Sequence, residues 1–186
     1  MTNIKKESTT LVKKCIVDAL LLLMNEKEFD NISITEICTK AGVSRMAYYR
    51  NYYTKKDIII EYLKDIASEF KKESHSWQTN NEYTNRNVIR FLFAYFEKYA
   101  FFIKTLRKAN LSGLLQECIN EYLETEIAFR DKNDPYEKYH MYSYSGALFN
   151  VYMKWIDNGM KESIEQMADI FCKANIYIWE RKTQEI

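Results

Sequence analysis

The stretch Ser33–Asp57, SITEICTKAGVSRMAYYRNYYTKKD, limits what this chain can become more than any other. Ser33-x-x-Glu36 is a capping box: the Ser hydroxyl takes the third helical N–H and the Glu carboxylate takes the cap N–H. A short helix from Ile34 to about Lys40 follows, with Ile34, Ile37, Cys38 and Ala41 on its inner face. Gly42 can adopt the left-handed conformation that ends it. Val43 is apolar and suited to the space between helices, and Ser44 caps a second short helix to about Asn51. Thr54-x-x-Asp57 then opens a third. Two short capped helices about one glycine, followed at once by a longer helix, have the shape of a helix-turn-helix unit.

The rest of the chain repeats one pattern. Val12, Cys15, Ile16, Ala19 and Leu23 follow the three-and-four spacing of a helix from about Thr9 to Asn25, with Leu20–Leu22 widening its face. Phe29, in the polar turn that follows, should tuck into the core. Ile58, Ile59, Tyr62, Leu63, Ile66 and Phe70 mark a long fourth helix. It fades into KKESHSWQTNNEYTN, a polar linker containing Trp77. Helices then resume, with Val88, Ile89, Leu92, Tyr95, Phe96 and Tyr99 on one stripe and Phe102, Ile103 and Leu106 on a short helix. Leu114, Leu115, Cys118, Ile119, Tyr122, Leu123 and Ile127 lie on the next. Asp134-Pro135 reads as a cap followed by proline at the first helical position. Asn158-Gly159 ends that helix, and Ser163-x-x-Gln166 caps the last. With 4 Gly and 1 Pro in 186 residues, little interrupts this periodicity. An all-α fold of about nine helices is expected. It divides into a helix-turn-helix part, residues 1–62, and a helical regulatory part, residues 63–186.

Charge follows the same division. Residues 1–58 carry 10 Lys/Arg against 7 Asp/Glu, and residues 59–186 carry 17 against 19. A modestly basic N-terminal part is compatible with a polyanion. Cys15, Cys38, Cys118 and Cys172 form no CxxC pair and read as buried thiols of a reducing compartment. No apolar run approaches the roughly 20 residues of a membrane span, and no signal peptide is evident. A cytoplasmic location is the expectation. His75 and His140 have no metal-ligand neighbour at short spacing, so no metal is expected. No cofactor is expected either: nucleophile-elbow, HExxH, phosphate-loop and dinucleotide patterns are all missing from the sequence. Glu121, Glu124 and Glu126 read as a solvated helix face. The expectation is therefore a binding protein, not an enzyme.

A recognition helix must enter the major groove and present forked or short polar groups to base edges, while its flanks hold phosphates. Arg45 on the first turn can fork onto a guanine, Met46 can meet a thymine methyl, and Thr35 can reach the same groove. Ser44, Tyr48, Tyr49, Arg50, Asn51, Thr54, Lys55 and Lys56 are phosphate-capable. Each also has a plainer reading: Ser44 as a cap only, Tyr48 and Tyr52 as core aromatics, Lys55 and Lys56 as a solvated helix start.

FDNISITEICTKAGVSRMAYYRNYYTKKDIIIEYL resembles the DNA-binding domain of the tetracycline-repressor (TetR) family, over about residues 9–63. Ile37, Cys38, Ala41-Gly42-Val43-Ser44, Tyr48-Tyr49, Asn51-Tyr52, Lys55 and Ile58 carry the resemblance. It implies base contacts by Thr35, Arg45 and Met46, and phosphate contacts by Tyr49, Asn51 and Lys55; Ser44 and Arg50 are expected phosphate contacts on residue type and position alone. Ala47 departs from the family's frequent Thr, Asn51 from its His and Tyr52 from its Phe. The resemblance further implies a dimeric regulator, a repressor released by a small-molecule effector, on a pseudo-palindromic DNA operator. NLSGLLQE and WIDNGMKES look like a subgroup that includes the dihydroxyacetone-kinase operon activator, so activation stays open. So does a helical small-molecule binding protein with weak or lost DNA binding. Dimerisation through helices at 136–157 and 163–182 is implied, with Tyr139, Tyr142, Gly146, Phe149, Met153, Met167, Phe171, Ala174 and Ile178 as its residues. Intramolecular core is the alternative for many of them. Phe91, Tyr95, Phe96, Tyr99, Phe102, Tyr122 and Phe129 are candidate pocket walls or closed core.

Overall fold

The helix caps anticipated from sequence are formed. In the computed structural model, which describes residues 2–74, 85–126 and 134–180 with side chains over 10–74, 85–126 and 134–174, Ser33 Oγ accepts from Glu36 N–H at 3.2 Å. Glu36 Oε2 accepts from Ser33 N–H at 2.9 Å. His75, Trp77, Ile127, Phe129 and the side chain of Ile178 lie outside the described residues. Nine α-helices and no strand occur among those described: α1 (Thr2–Glu26), α2 (Ile34–Ala41), α3 (Arg45–Tyr49), α4 (Lys55–Ser74), α5 (Arg86–Glu97), α6 (Ala100–Lys108), α7 (Gly113–Glu126), α8 (Pro135–Asp157) and α9 (Ile164–Glu180). A single 3-10 turn, Phe29–Asn31, sits between α1 and α2.

The chain separates into two compact units. The first comprises residues 1–66 and 105–112, the second residues 67–104 and 113–186. In the first unit α1 buries Ile16, Val17, Ala19, Leu20, Leu21, Leu23 and Met24. It begins at Thr2, well before the expected Thr9, because no Gly or Pro interrupts those residues. Leu22 turns outward, 51% exposed, since the helical turn carries it off the buried face that its neighbours share. Ile37 and Cys38 of α2 and Ile58, Ile59, Leu63 and Ile66 of α4 complete that core. α2 ends in paired bonds at Gly42, which takes φ +67: Gly42 N–H donates to Thr39 O at 3.2 Å and Val43 N–H to Cys38 O at 3.0 Å. A side chain at this φ is strained, so glycine is required.

The Glu36 carboxylate has a measurable consequence. The Lys27 ammonium bonded to it, then the Ser33 N–H and hydroxyl, hold its pKa at about 2 against an ordinary 4.5. Its contribution to stability is therefore fully present above pH 4.5 and lost as the pH falls toward about 2. Glu36→Gln keeps an acceptor for the Ser33 N–H but cannot titrate. Melting temperatures measured from pH 7 to 2 are expected to fall less steeply below pH 4.5 in the variant. Parallel curves would remove Glu36 from the acid response.

In the second unit the ends of the helices again obey their sequence signals. Asp134 Oδ1 accepts from Tyr136 N–H at 2.9 Å, with Pro135 beginning α8. Gly159 at φ +79 and Met160 at φ 53 close α8. Ser163 and Gln166 form another box, at 2.8 and 3.2 Å. Phe93, absent from the expected stripe of α5, is fully buried. It lies 5.5 Å from the ring of Trp155 and 6.3 Å from that of Phe171.

Candidate nucleic-acid interface

The first unit presents an exposed face built on α3. Ser44 caps this helix, its Oγ accepting from Ala47 N–H at 3.1 Å. Because Ser44 fixes the first turn, Arg45 and Met46 project outward, with Met46 68% exposed. Tyr49 and Arg50 on the next turn are exposed too, and Arg45 Cζ stands 5.9 Å from the Tyr49 ring centroid. Thr35 of α2 is exposed, as are Thr54 and Lys56 at the start of α4. A thioether exposed to this degree has no packing reason to be there.

Charge marks this face. Three lysines elsewhere in the unit sit against carboxylates: Lys13 on Glu61 at 2.6 Å, Lys40 on Glu26 at 2.5 Å, and Lys27 on Glu36. Among the described residues no carboxylate pairs with Arg45, Arg50 or Lys56. Cations left without internal counterions are what a phosphate backbone neutralises.

Behind α3 lies the aromatic support. Tyr48 is completely buried, edge-on to Tyr49 at 5.3 Å and tilted on Tyr52 at 6.0 Å. Tyr52 is 2% exposed and likewise a core residue. Burial pushes the Tyr48 hydroxyl up to about 12, and it has no hydrogen-bond partner among the described residues. An unsatisfied buried hydroxyl costs roughly 1–3 kcal/mol. Tyr48→Phe is therefore expected to leave the fold intact and raise stability by about 1 kcal/mol, read from the urea midpoint. A lower midpoint would mean that the hydroxyl is satisfied in solution.

Two of the expected phosphate residues are engaged within the chain. Asn51 Nδ2 donates to Ala47 O at 2.8 Å, which leaves one amide hydrogen for any other acceptor. Lys55 Nζ donates to three carbonyls, Phe29 O at 2.5 Å and Asp30 O and Ile32 O at 2.9 Å each. The start of α4 is capped internally as well: Asp57 Oδ2 accepts from Tyr53 N–H at 3.1 Å and Thr54 N–H at 2.7 Å. Tyr53, not among the expected contacts, is 86% exposed beside this start. Its signal was its place: an aromatic between two caps has no inward helix face to occupy.

The second unit holds the residues considered as pocket walls. Phe70 of α4 is their centre, 5.6 Å from the Phe91 ring, 5.1 from Tyr95, 5.5 from Phe96 and 5.5 from Tyr122. Phe70 was legible only as one apolar position of a stripe. Tyr95 and Phe102 are buried, and Phe91, Phe96, Tyr99 and Tyr122 half-buried. The Tyr95 and Tyr99 hydroxyls are 3.5 Å apart, and Tyr99 donates to Glu69 at 3.3 Å. Burial foremost pushes the Tyr95 hydroxyl far above its ordinary range. Between α7 and α8 the fully buried Ser145 meets Gln116 at 2.6 Å and Asn120.

The residues expected on a dimer face divide. Met153, Met167 and Phe171 are 3%, 4% and 1% exposed within the single chain, so they pack its own core and present nothing to a partner. Periodicity marked them as apolar but not which neighbour covers them. Tyr139, Tyr142 and Ala174 are exposed, and Gly146 and Phe149 half-buried. Ile170, outside the expected set, is 47% exposed on α9. Among the described residues no group of three or more His, Cys, Asp or Glu could hold a metal ion, and no helix is long and apolar enough to cross a membrane.

Residues 83–175, half of the chain, match a TetR-type family model described as "Transcriptional regulator C-terminal region". The fold is similar to the crystal structure of a TetR transcriptional regulator from Streptococcus agalactiae 2603V, at a TM-score of 0.66 and 18% identity. That likeness covers 94% of this chain and 98% of the other. No curated protein matches.

Proposed function

Because the chain belongs to the TetR family of transcriptional regulators, we propose that it is a dimeric DNA-binding repressor that a small-molecule ligand releases from a pseudo-palindromic operator. The observation that carries this reading is the α3 face, where Arg45, Met46, Tyr49 and Arg50 are exposed and no carboxylate among the described residues neutralises the two arginines. Arg45 forks onto O6 and N7 of a guanine, Met46 packs on a thymine methyl, and Thr35 adds a contact from α2. The Ser44 and Tyr49 hydroxyls, Arg50 and the second amide hydrogen of Asn51 hold phosphates. Lys56 and Tyr53 join them.

Two copies pair through the outward residues of α8 and α9: Tyr142, Gly146 and Phe149 with Ile170 and Ala174. Pairing places two α3 helices about one DNA turn apart, on two half-sites. The ligand enters among the half-buried rings of Phe91, Phe96, Tyr99 and Tyr122. α4 runs unbroken from Lys55 to Ser74 and carries Phe70, so a ligand that prefers one placement of Phe70 biases the helix that follows α3. The work is cytoplasmic, where the chromosome is reached. Activation is the second reading, favoured by NLSGLLQE and WIDNGMKES; a transcription assay with and without the protein gives the sign.

The direct test is a gel shift with the DNA upstream of the protein's own gene. Sequence-specific binding that weakens steeply with salt is expected. Equal affinity for that duplex and a scrambled one would reduce the protein to a helical small-molecule binder.

A further inference from the structure

We infer that Lys55 is not a phosphate anchor but a positioning residue that closes the α2–Gly42–α3 segment into a clamped loop. The inference rests on the DNA-binding reading above. Its ammonium has three N–H donors, and carbonyls take all of them: Phe29 at 2.5 Å, Asp30 at 2.9 Å and Ile32 at 2.9 Å. The same Nζ lies 4.7 Å from the centre of the Phe29 ring, whose negative face favours a cation. Nothing is left to point at a phosphate unless these bonds break.

The carbonyls lie just before α2. Ile32, 3% exposed, directly precedes Ser33, the residue that starts α2. Lys55 is the first residue of α4, and α4 follows α3 through Arg50–Thr54. The first turn of α4 is thus joined to the end of α3 by the chain and to the start of α2 by the ammonium. Any shift of α4 must then move both ends of the reading segment together. Without the bracket, α4 could move while α2 stayed behind. The tetrahedral ammonium suits three converging carbonyls around one point; a planar guanidinium directs its donors outward in a fork and does not.

The test compares the wild type with Lys55→Met and Lys55→Arg on two probes: the duplex selected by the gel shift and a scrambled duplex of equal length. For both variants the affinity for the selected duplex should fall about tenfold or more, while that for the scrambled one stays within about twofold. The slope of log affinity against log salt should not change, because no phosphate contact has been lost. A slope lower by about 0.9 per subunit, with equal loss on both duplexes, would make Lys55 an anchor and overturn the inference. Full affinity in Lys55→Arg would overturn it as well, because charge alone would then suffice. A lower melting temperature with unchanged DNA binding would leave only a structural role, and also counts against it. If Lys55→Met does not fold, Lys55→Arg carries the comparison. If the wild type selects no duplex, the DNA-binding reading has failed and the bracket is judged by hydrogen exchange. Lys55→Met should then speed exchange of the Ile32 and Ile37 amides, and unchanged protection there would refute the bracket.

Discussion

Phe70→Ala is expected to destabilise the protein by about 3–5 kcal/mol, the usual cost of removing a buried ring. Phe70 is 7% exposed and has four aromatic rings within 5.6 Å, centre to centre. Removing it leaves a hole that Phe91, Tyr95 and Phe96, fixed along one side by α5, and Tyr122, on α7, cannot all close at once. Phe70→Leu should recover more than half of the loss. Urea unfolding at constant slope checks both. A cost below about 1 kcal/mol for the alanine variant would mean that the cluster collapses readily, and Phe70 would then be a poor lever for a ligand. On the proposed mechanism of ligand release, the alanine variant, whose lost ring belongs to α4, should also respond less to a ligand at temperatures where it is fully folded.

Arg45→Ala carries the second large effect. One forked guanine contact is worth about 1–3 kcal/mol of discrimination. A dimer makes it twice, so the operator should bind about 2–6 kcal/mol more weakly, with little change on a scrambled duplex. Arg50→Ala is the contrasting case. It should weaken both duplexes alike and lower the salt slope by about 1 per subunit. Equilibrium binding by fluorescence anisotropy at several salt concentrations separates the two. If Arg45→Ala kept full operator affinity and selectivity, base reading would have to be assigned elsewhere on the exposed face.

Much of the DNA-facing half was legible because its signals are local. A capping box spans four residues, so Ser33 with Glu36, and Thr54 with Asp57, could be read without any knowledge of the fold. Gly42 likewise announces the left-handed turn it makes. Helical periodicity showed that Tyr52 and Phe70 lie on apolar faces. It did not show that Leu22 turns outward or that Phe93 is buried completely. For Met153, Met167 and Phe171 the sequence leaves a partner face and the chain's own core both open, because an apolar stripe looks the same whether another helix of the chain or another molecule covers it.

Lys55 is the sharpest case. In the sequence it is one of two adjacent lysines at a helix start, equally suited to a phosphate or to water. The fold brings Phe29, Asp30 and Ile32, more than twenty residues earlier, within 2.9 Å of its ammonium, and the neighbouring Lys56 has no such contact among the described residues. The sequence by itself determined the all-helical class, the caps and the short helix pair about Gly42, since those depend on residues a few positions apart. Only the tertiary structure decided which cations are engaged within the chain and which have no carboxylate beside them among the described residues, and which apolar residues are core. Those depend on groups brought together from distant parts of the chain, and no local spacing records them.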